Sequence, residues 1–526
     1  MAVQMNATHG GAAALGESLK PRLAHVARAA QDGKRGNTRG DASLLRRDAY
    51  VAAMASLETP RTADPPAPAR GGSWRAELSQ TVRLALPMAL TQLGQIVMMT
   101  TDLVLIGRLG DEALAAAALA HTVLFAAFTL GMGIVAAVAP LAAQAFGARR
   151  PRMVRRALRV GLWAAVILGV PMTLVQFQGE DILVGLGQNP HSAALAGRYL
   201  AGMAWAIIPA WAFIAVRNFM GAVNRPEPAL WITLAAIPAN AALAFFLIYG
   251  AFGVPGLDLF GAGLATALID AGMCLAAIGI ACRRRPFRKY RVLGRLWRPD
   301  WRLLGKLLVV GLPISGALLL EFGLFAAAAL LMGRISTSAV AAHQIALQVA
   351  ALLYMVPLGI ALAATVRVGQ AAGRRDPIGT RRAGFVAIAV AAGFMAAMTL
   401  IVGATRRAIP ELFLGAEEAR SAATMELAAT LLALGASFFI SDGVQAATGG
   451  ALRGLNDTRM PLVTAALSYW IVGFVGCVWL GFKMELGAVG VWIGLSLGTA
   501  VYAALLVWRF HALTARNYLP AVPALT

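Results

Sequence analysis

Gly311-Leu-Pro-Ile-Ser-Gly-Ala-Leu-Leu-Leu-Glu321-Phe-Gly-Leu-Phe-Ala-Ala-Ala-Ala-Leu-Leu-Met-Gly333 is apolar from end to end except for one carboxylate. Counted back to Leu303, the run is long enough to cross a bilayer core, which takes roughly 20 residues. Glu321 then lies well inside hydrocarbon. An ionised carboxylate there costs at least a few kcal/mol unless it is paired or faces a wet cavity. Such a residue is not kept for stability, so the stretch reads as part of an ion or substrate pathway. The plainer alternative is a Glu held neutral by a neighbouring helix.

The whole composition agrees with a membrane protein. Hydrophobic residues make up 59% of the 526, charged residues only 13%, and mean hydropathy is +0.69. A soluble domain carries about 25% charged residues. The net charge of +21 is no nucleic-acid signature, because the arginines cluster between apolar spans rather than along one face. Cys274, Cys282 and Cys477 fall in or beside apolar runs and give neither metal spacing nor a disulfide framework. There is no Walker-type phosphate loop, so ATP is not the expected power source.

Twelve spans are expected near 84–106, 115–145, 156–177, 195–217, 229–250, 260–282, 303–332, 339–366, 381–404, 423–447, 460–482 and 486–509. The long second and eighth runs are expected to include a short interfacial piece. Arg149, Arg150, Arg152, Arg155 and Arg156 fill the 2–3 connection, and Arg374, Arg375, Arg381 and Arg382 the 8–9 connection. The 6–7 connection carries nine basic residues between Arg283 and Arg302, whereas the 3–4 loop holds Glu180 and Asp181. The positive-inside rule places even-numbered loops and both termini in the cytoplasm. The expected organisation is a disordered basic tail over 1–80 and an N-terminal lobe over 81–282. A linker over 283–302, a C-terminal lobe over 303–510 and a tail over 511–526 follow. Whether residues 1–53 are translated is left open, since Met54 is an alternative start.

The chain repeats itself. Leu86-Pro87 matches Leu312-Pro313, Gly107-Arg108 matches Gly333-Arg334, and Gly133-Ile134 matches Gly359-Ile360. Gln144 matches Gln370 and Gly147 matches Gly373, all at a constant spacing of 226 residues. Gly221 and Pro228 match Gly454 and Pro461 at a spacing of 233. Each repeat holds an even number of spans, so both halves enter the membrane from one side. The axis relating them should run along the membrane normal. The fold class is an all-α integral membrane protein: twelve transmembrane helices in two pseudo-twofold-related six-helix bundles, with a cavity between them.

Two further acids interrupt spans. Asp102 lies about 8 Å below the outer end of span 1, and Asp442 lies in span 10. The repeat places Gln95 opposite Glu321, Ala328 opposite Asp102 and Pro209 opposite Asp442. The halves therefore share a scaffold but carry different acids. Asp270 is a fourth candidate, with a helix–helix hydrogen bond as its expected role. His121 and His343 read as capping or interfacial, and Arg217 and Arg367 as residues that snorkel to headgroups. Met98, Met99 and Met203, with Trp205 and Trp211, are candidates for lining an adaptable apolar cavity, although ordinary lipid-facing or core packing is the expected role of most of them. Pro87, Pro140, Pro171, Pro209, Pro238, Pro313 and Pro357 can each kink a span.

At this point the sequence resembles the MATE family of multidrug and toxic compound extrusion transporters, closest to its NorM-type bacterial branch. The resemblance covers about residues 80–510. It rests on the double repeat and on Pro140-Leu-Ala-Ala-Gln144-Ala-Phe-Gly147-Ala, Ala342-His-Gln344-Ile-Ala, Gly369-Gln-Ala-Ala-Gly373 and Leu452-Arg-Gly454-Leu-Asn-Asp457. Asp102, Glu321 and Asp442 fall where that branch has its coupling residues. The resemblance implies a V-shaped pair of bundles in the bacterial inner membrane. It implies exchange of cationic, aromatic drugs for inward Na+ or H+. One departure stands out: Phe438 occupies a position where such sites often carry Tyr.

The expected function is thus a secondary multidrug antiporter, not an enzyme, with no cofactor beyond a coupling ion, H+ or Na+. Glu321 and Asp442 form the expected cation site of the C-lobe and would be metal ligands only with Na+ coupling. Asp102 acts in the N-lobe, and Phe438, Ser437, Ser441 and Gln95 are possible lining residues. Expected partners are small-molecule drugs and the bilayer, not nucleic acid, with the monomer as the working unit. The alternatives are a lipid-linked oligosaccharide flippase, which needs several cationic residues deep in a groove, and a membrane-embedded transferase, which needs clustered acids or His at a membrane face.

Overall fold

The computed structural model describes residues 73–251, 254–294, 296–414 and 419–520. Among them twelve helices are long and apolar enough to cross a membrane. Span 1 is Trp74–Gly107, and span 2 is Asp111–Ala136 continued by Val138–Gly147. Span 3 is Pro151–Phe177, and span 4 is Pro190–Met203 continued by Ile207–Ala222. Spans 5 and 6 are Glu227–Tyr249 and Asp258–Arg283. Spans 7 to 10 are Trp301–Ile335, Thr337–Gly373, Pro377–Thr405 and Ala419–Gly454. Span 11, Arg459–Lys483, widens into π-helix over Ala466–Phe474 and Trp479–Lys483, and span 12 is Gly487–Ala515. A two-residue β-hairpin pairs Gly250–Ala251 with Val254–Pro255 between spans 5 and 6.

Local chemistry sets the ends. Ser73, Asp300, Ser336 and Asp376 cap spans 1, 7, 8 and 9 by accepting a backbone N–H through their side chains. Pro151 and Pro377, one repeat apart, open spans 3 and 9. Pro140 and Pro209 sit just past real interruptions, at Ala137 and at the 3-10 turn Ala204–Ala206, whereas Pro87, Pro171, Pro238, Pro313 and Pro357 lie inside continuous helices.

Three boundaries differ from expectation. The short non-spanning helices follow spans 3 and 9, at Gly179–Gly185 and Ala408–Leu414, rather than belonging to spans 2 and 8. Span 12 continues past residue 510 to Ala515. Span 1 starts at Trp74, inside the stretch expected as tail; residues 1–72 lie outside the described residues. The missed turn matters because Glu77 pairs bidentately with Arg367 of span 8, at 2.9 and 2.7 Å. Arg367 therefore does not snorkel to lipid; it ties the first turn of one lobe to the other.

The lobes meet along spans 1, 2, 7 and 8, and the meeting is as symmetric as the repeat. Gly133 of span 2 lies against the backbone of Ser315 in span 7, and Gly359 of span 8 against that of Ala89 in span 1. Any Cβ at these glycines would collide with the neighbouring backbone. Ser315 also donates its hydroxyl to the Leu130 carbonyl. Towards the arginine-rich side, Gly147 rests on the Gln370 carbonyl and Gly373 on that of Gln144.

Those two glutamines then reach into the opposite lobe. Gln144 donates to the Gly454 carbonyl at 2.8 Å and accepts from Asn456 at 3.0 Å. Gln370 donates to the Ala222 carbonyl at 2.9 Å and faces the side-chain amide of Asn224. Asn224 and Asn456 both adopt left-handed backbone, at φ 60° and 59°, which asparagine tolerates well. The result is a paired clasp at the arginine-rich ends of spans 2, 4, 8 and 10.

The linker is docked rather than free. Phe287 and Tyr290 are buried against Phe219, and Trp163 donates to the Leu296 carbonyl at 2.8 Å. Arg156 holds Asp300 at 2.7 Å. Burial works to raise the Asp300 carboxyl, but Arg156, the Leu303 N–H and Arg159 together hold it below its ordinary value.

A protein started at Met54 keeps Ser73 and Glu77 and should insert and unfold like the full chain. One started at residue 81 loses Glu77 and leaves Arg367 unpaired at the lobe interface, a cost of about 3 kcal/mol. Thermal unfolding of the two purified proteins checks this; equal midpoints would remove the ion pair from the lobe interface.

Candidate functional site

In the C-lobe, span 7 contributes Glu321 and span 10 contributes Asp442 and Gln445. The amide of Gln445 donates to Glu321 Oε1 at 3.0 Å and to Asp442 Oδ1 at 2.9 Å. The i, i+3 spacing puts Asp442 and Gln445 on one face of the helix, turned towards span 7. Both are buried, Asp442 at 5% and Gln445 at 4% exposure. One side-chain NH2 thus holds two carboxylates from different helices. The Tyr469 hydroxyl, from the π-helical part of span 11, lies beside Glu321 without a well-directed hydrogen bond, and its ring packs at a tilt against Tyr502 of span 12, centroids 4.9 Å apart. Arg453, lower on span 10, is within electrostatic reach of Glu321.

One turn from the acids is an aromatic layer. Phe438 is four residues before Asp442 and Phe325 four after Glu321, and their rings meet edge to face at 6.0 Å. Phe438 also packs on Phe439 and Trp492. Trp492 donates its indole N–H to Nδ1 of the fully buried His343 at 3.1 Å. His343 is therefore a core residue rather than an interfacial cap. Ser437 and Ser441 are not brought to the acids. Ser437 lies about 140° round the helix from Asp442, and both hydroxyls donate to carbonyls of their own helix.

The N-lobe holds a second acidic site. Asp102 accepts from Asn240 of span 5 through one oxygen and from Thr266 of span 6 through the other, at 3.1 Å to Thr266. It is bound inside the lobe and is not a helix-end residue. It borders a cavity of about 270 Å³ that also exposes Asp270, His121, Tyr199, Met98 and Phe128. Asp270 is one turn from Thr266 and faces this cavity, where the sequence reading expected a helix–helix hydrogen bond. His121 contacts the Tyr199 hydroxyl at 3.3 Å inside the lobe, not at its surface. Met99 and Met203 line the cavity as well, whereas Trp211 is fully buried and Trp205 is exposed on the outside.

Gln95 lines the N-lobe cavity, the counterpart of the Glu321 position, and accepts from Arg217 at 3.0 Å. Arg217 also donates to Gln92 at 2.6 Å. It reaches inward across to span 1 instead of snorkelling out. Gln445, Asn240, Thr266 and Tyr469 are the residues that sequence reasoning missed. Gln445 alone had a signal, its i+3 spacing from Asp442; the others join only through contacts between distant spans.

A family model described as MatE matches the chain twice, over residues 87–246 and 313–479. A Rhodopseudomonas palustris protein described as "Probable multidrug resistance protein NorM" is 61% identical over 458 residues, spanning 87% of this chain and 96% of its own length. The "Multidrug resistance protein NorM" of Burkholderia vietnamiensis is 37% identical over 435 residues, spanning 82% and 94%. A solved structure described as "Outward-facing conformation of a multidrug resistance MATE family transporter of the MOP superfamily" shares the fold at a TM-score of 0.76 and 20% identity, covering 84% of this chain and 96% of that one. The eukaryotic MATE transporter AtDTX14 does so at 0.75 and 20%, covering 84% and 98%.

Gln445→Leu removes the one donor shared by the buried Asp442 and the half-buried Glu321 and should cost about 1–3 kcal/mol. Gln445→Glu should cost more, because a third acceptor replaces the donor. Thermal unfolding of both variants at neutral pH gives the order, and the reverse order would break the bridge.

Proposed function

The chain belongs to the MatE family, whose model matches both of its halves, and we propose that it is a multidrug efflux transporter of the NorM type that exchanges drugs for an inward coupling ion by alternating access. It is a multi-pass membrane protein and not an enzyme. The observation that carries the antiport reading is the Gln445 bridge, which gathers Glu321 and Asp442 from separate helices into one site inside the C-lobe. Carboxylates inside a bilayer are expensive and are characteristic of ion pathways. The Asp102 site in the other lobe is the second such pathway element.

The mechanism follows from competition between states. A coupling ion on the acids favours one arrangement of the lobes and drug favours the other, so each helps release its rival. We take the proton as the coupling ion. Two carboxylates held on one amide act on each other and titrate as a unit that can take up a single proton. A sodium ion needs several oxygens at once; Phe438, Ser437 and Ser441 offer none to this pair, which leaves the two carboxylates with the Tyr469 hydroxyl beside Glu321, whereas a proton needs a single oxygen. The paired clasp of Gln144 and Gln370 is the element that must open for the alternate arrangement. On the positive-inside reading it closes the cytoplasmic side.

The flippase reading draws on cationic residues deep in a groove. Arg217 and Arg453 do not converge on one groove: Arg217 is engaged by Gln92 and Gln95 in one lobe, and Arg453 stands in the last turn of span 10 in the other.

Glu321→Gln and Asp442→Asn should each abolish drug resistance in an efflux-deficient host at normal membrane abundance, and Asp102→Asn should reduce it. Full resistance with either C-lobe variant would sink the site. In liposomes loaded with ethidium, a pH gradient alone should drive transport; transport driven only by a Na+ gradient at uniform pH would reverse the choice of ion and keep the antiporter. Gln144→Leu combined with Gln370→Leu removes both clasps. Spin labels at exposed Arg152 and Arg374, one per lobe, should then report longer and broader distances, and an unchanged distribution would show that the clasp does not hold the closed state.

A further inference from the structure

Spans 5 and 6 leave a groove of about 910 Å³ that shares no lining residue with the Asp102 cavity. Its floor is made of small residues. Ala235 and Ala239 of span 5 and Gly272 and Ala276 of span 6 are all exposed along it, and a Cβ on Gly272 would meet nothing within 4 Å. Bulky side chains form the walls, Trp231 at 68% and Leu268 at 49% exposure. The groove therefore runs lengthwise between two helices as an apolar channel open to the side.

Its chemistry changes at the arginine-rich end. Arg225, Arg284 and Arg285 line the mouth together with a single carboxylate, Glu227. From Arg284 to Leu268 the helix advances about 24 Å at 1.5 Å per residue. One bilayer leaflet has about 15 Å of hydrocarbon, with the headgroup layer beyond it. The channel is thus as deep as one leaflet, charged where headgroups lie and apolar where chains lie. Trp231 stands at the height where indole rings favour the membrane interface. A cationic drug is repelled by three arginines, and a free phosphate has no use for the apolar length.

We propose that this groove binds an anionic phospholipid, its phosphate on Arg225, Arg284 and Arg285 and an acyl chain along Ala235, Ala239, Gly272 and Ala276. The basic mouth selects the headgroup and the small-residue floor accepts the chain. The site is independent of the coupling acids, so it stands or falls separately from the transport reading.

The test uses the full-length protein in mixed phosphatidylglycerol and phosphatidylcholine, delipidated stepwise and weighed by native mass spectrometry. The wild type should retain a phosphatidylglycerol after phosphatidylcholine is lost. Each arginine changed to Gln should weaken that preference roughly fivefold, near the contribution of one basic residue at an anionic surface. Arg225→Gln/Arg284→Gln/Arg285→Gln should therefore lose it altogether. Gly272→Leu with Ala276→Leu fills the floor, leaves the arginines in place and should also release the lipid. Soluble glycerophosphate should not compete at millimolar concentration. Equal retention of both lipids by the wild type, or retention of phosphatidylglycerol by the triple variant, would overturn the proposal. So would retention by the filled-groove variant, or displacement by glycerophosphate, since either reduces the site to a phosphate patch.

Discussion

Two glutamines one repeat apart, Gln144 and Gln370, hold the lobes to each other, and the architecture of the arginine-rich half depends on them. Each stands at the end of a long span, each crosses to the opposite lobe, and each meets a backbone carbonyl and an asparagine amide there. Inside a bilayer every polar group must find a protein partner. A glutamine with donor and acceptor both engaged is therefore a strong and directional fastener. The glycines beside them allow the approach: with any side chain at Gly147 or Gly373 the helix ends would be pushed apart and the glutamines would miss.

That fastening is symmetric, whereas the chemistry it serves is not. Spans 2 and 7 cross as spans 8 and 1 do, with Gly133 on Ser315 repeated as Gly359 on Ala89. The acids ignore this symmetry. Glu321 joins Asp442 through Gln445 in one lobe, while its counterpart Gln95 binds Arg217 in the other. Asp102 is held by Asn240 and Thr266 in a lobe whose partner has Ala328 at the same place. A duplicated scaffold thus carries two differently built polar sites. This is the arrangement expected when the helices are retained for their shape and the polar residues for separate tasks.

The aromatic layer of the C-lobe shows how a substitution legible in sequence takes its meaning from packing. Phe438 reads as a hydroxyl lost from a cation site. In three dimensions its ring is committed to Phe325, Phe439 and Trp492, with His343 locked behind the indole. Hydroxyls near the acids come from elsewhere, Tyr469 among them. Because helices from distant parts of the chain converge, the oxygen a site lacks on its own helix can be supplied from another.

Hydropathy, loop charge and repeat spacing were enough to determine twelve spans, two related lobes and the three acids that interrupt them. These are properties of single helices or of fixed sequence separations, and the bilayer enforces them residue by residue. Tertiary structure decided which polar groups meet. Nothing in the linear chain ties Glu77 to Arg367, Gln144 to Gly454, or Asp102 to Asn240, since each pair is separated by more than a hundred residues. Arginines 217 and 367 read as snorkelling because helix position tells how near the headgroups a residue lies. Whether it turns outward to them or inward to a partner depends on helix rotation and on what the neighbouring span presents, which only packing determines.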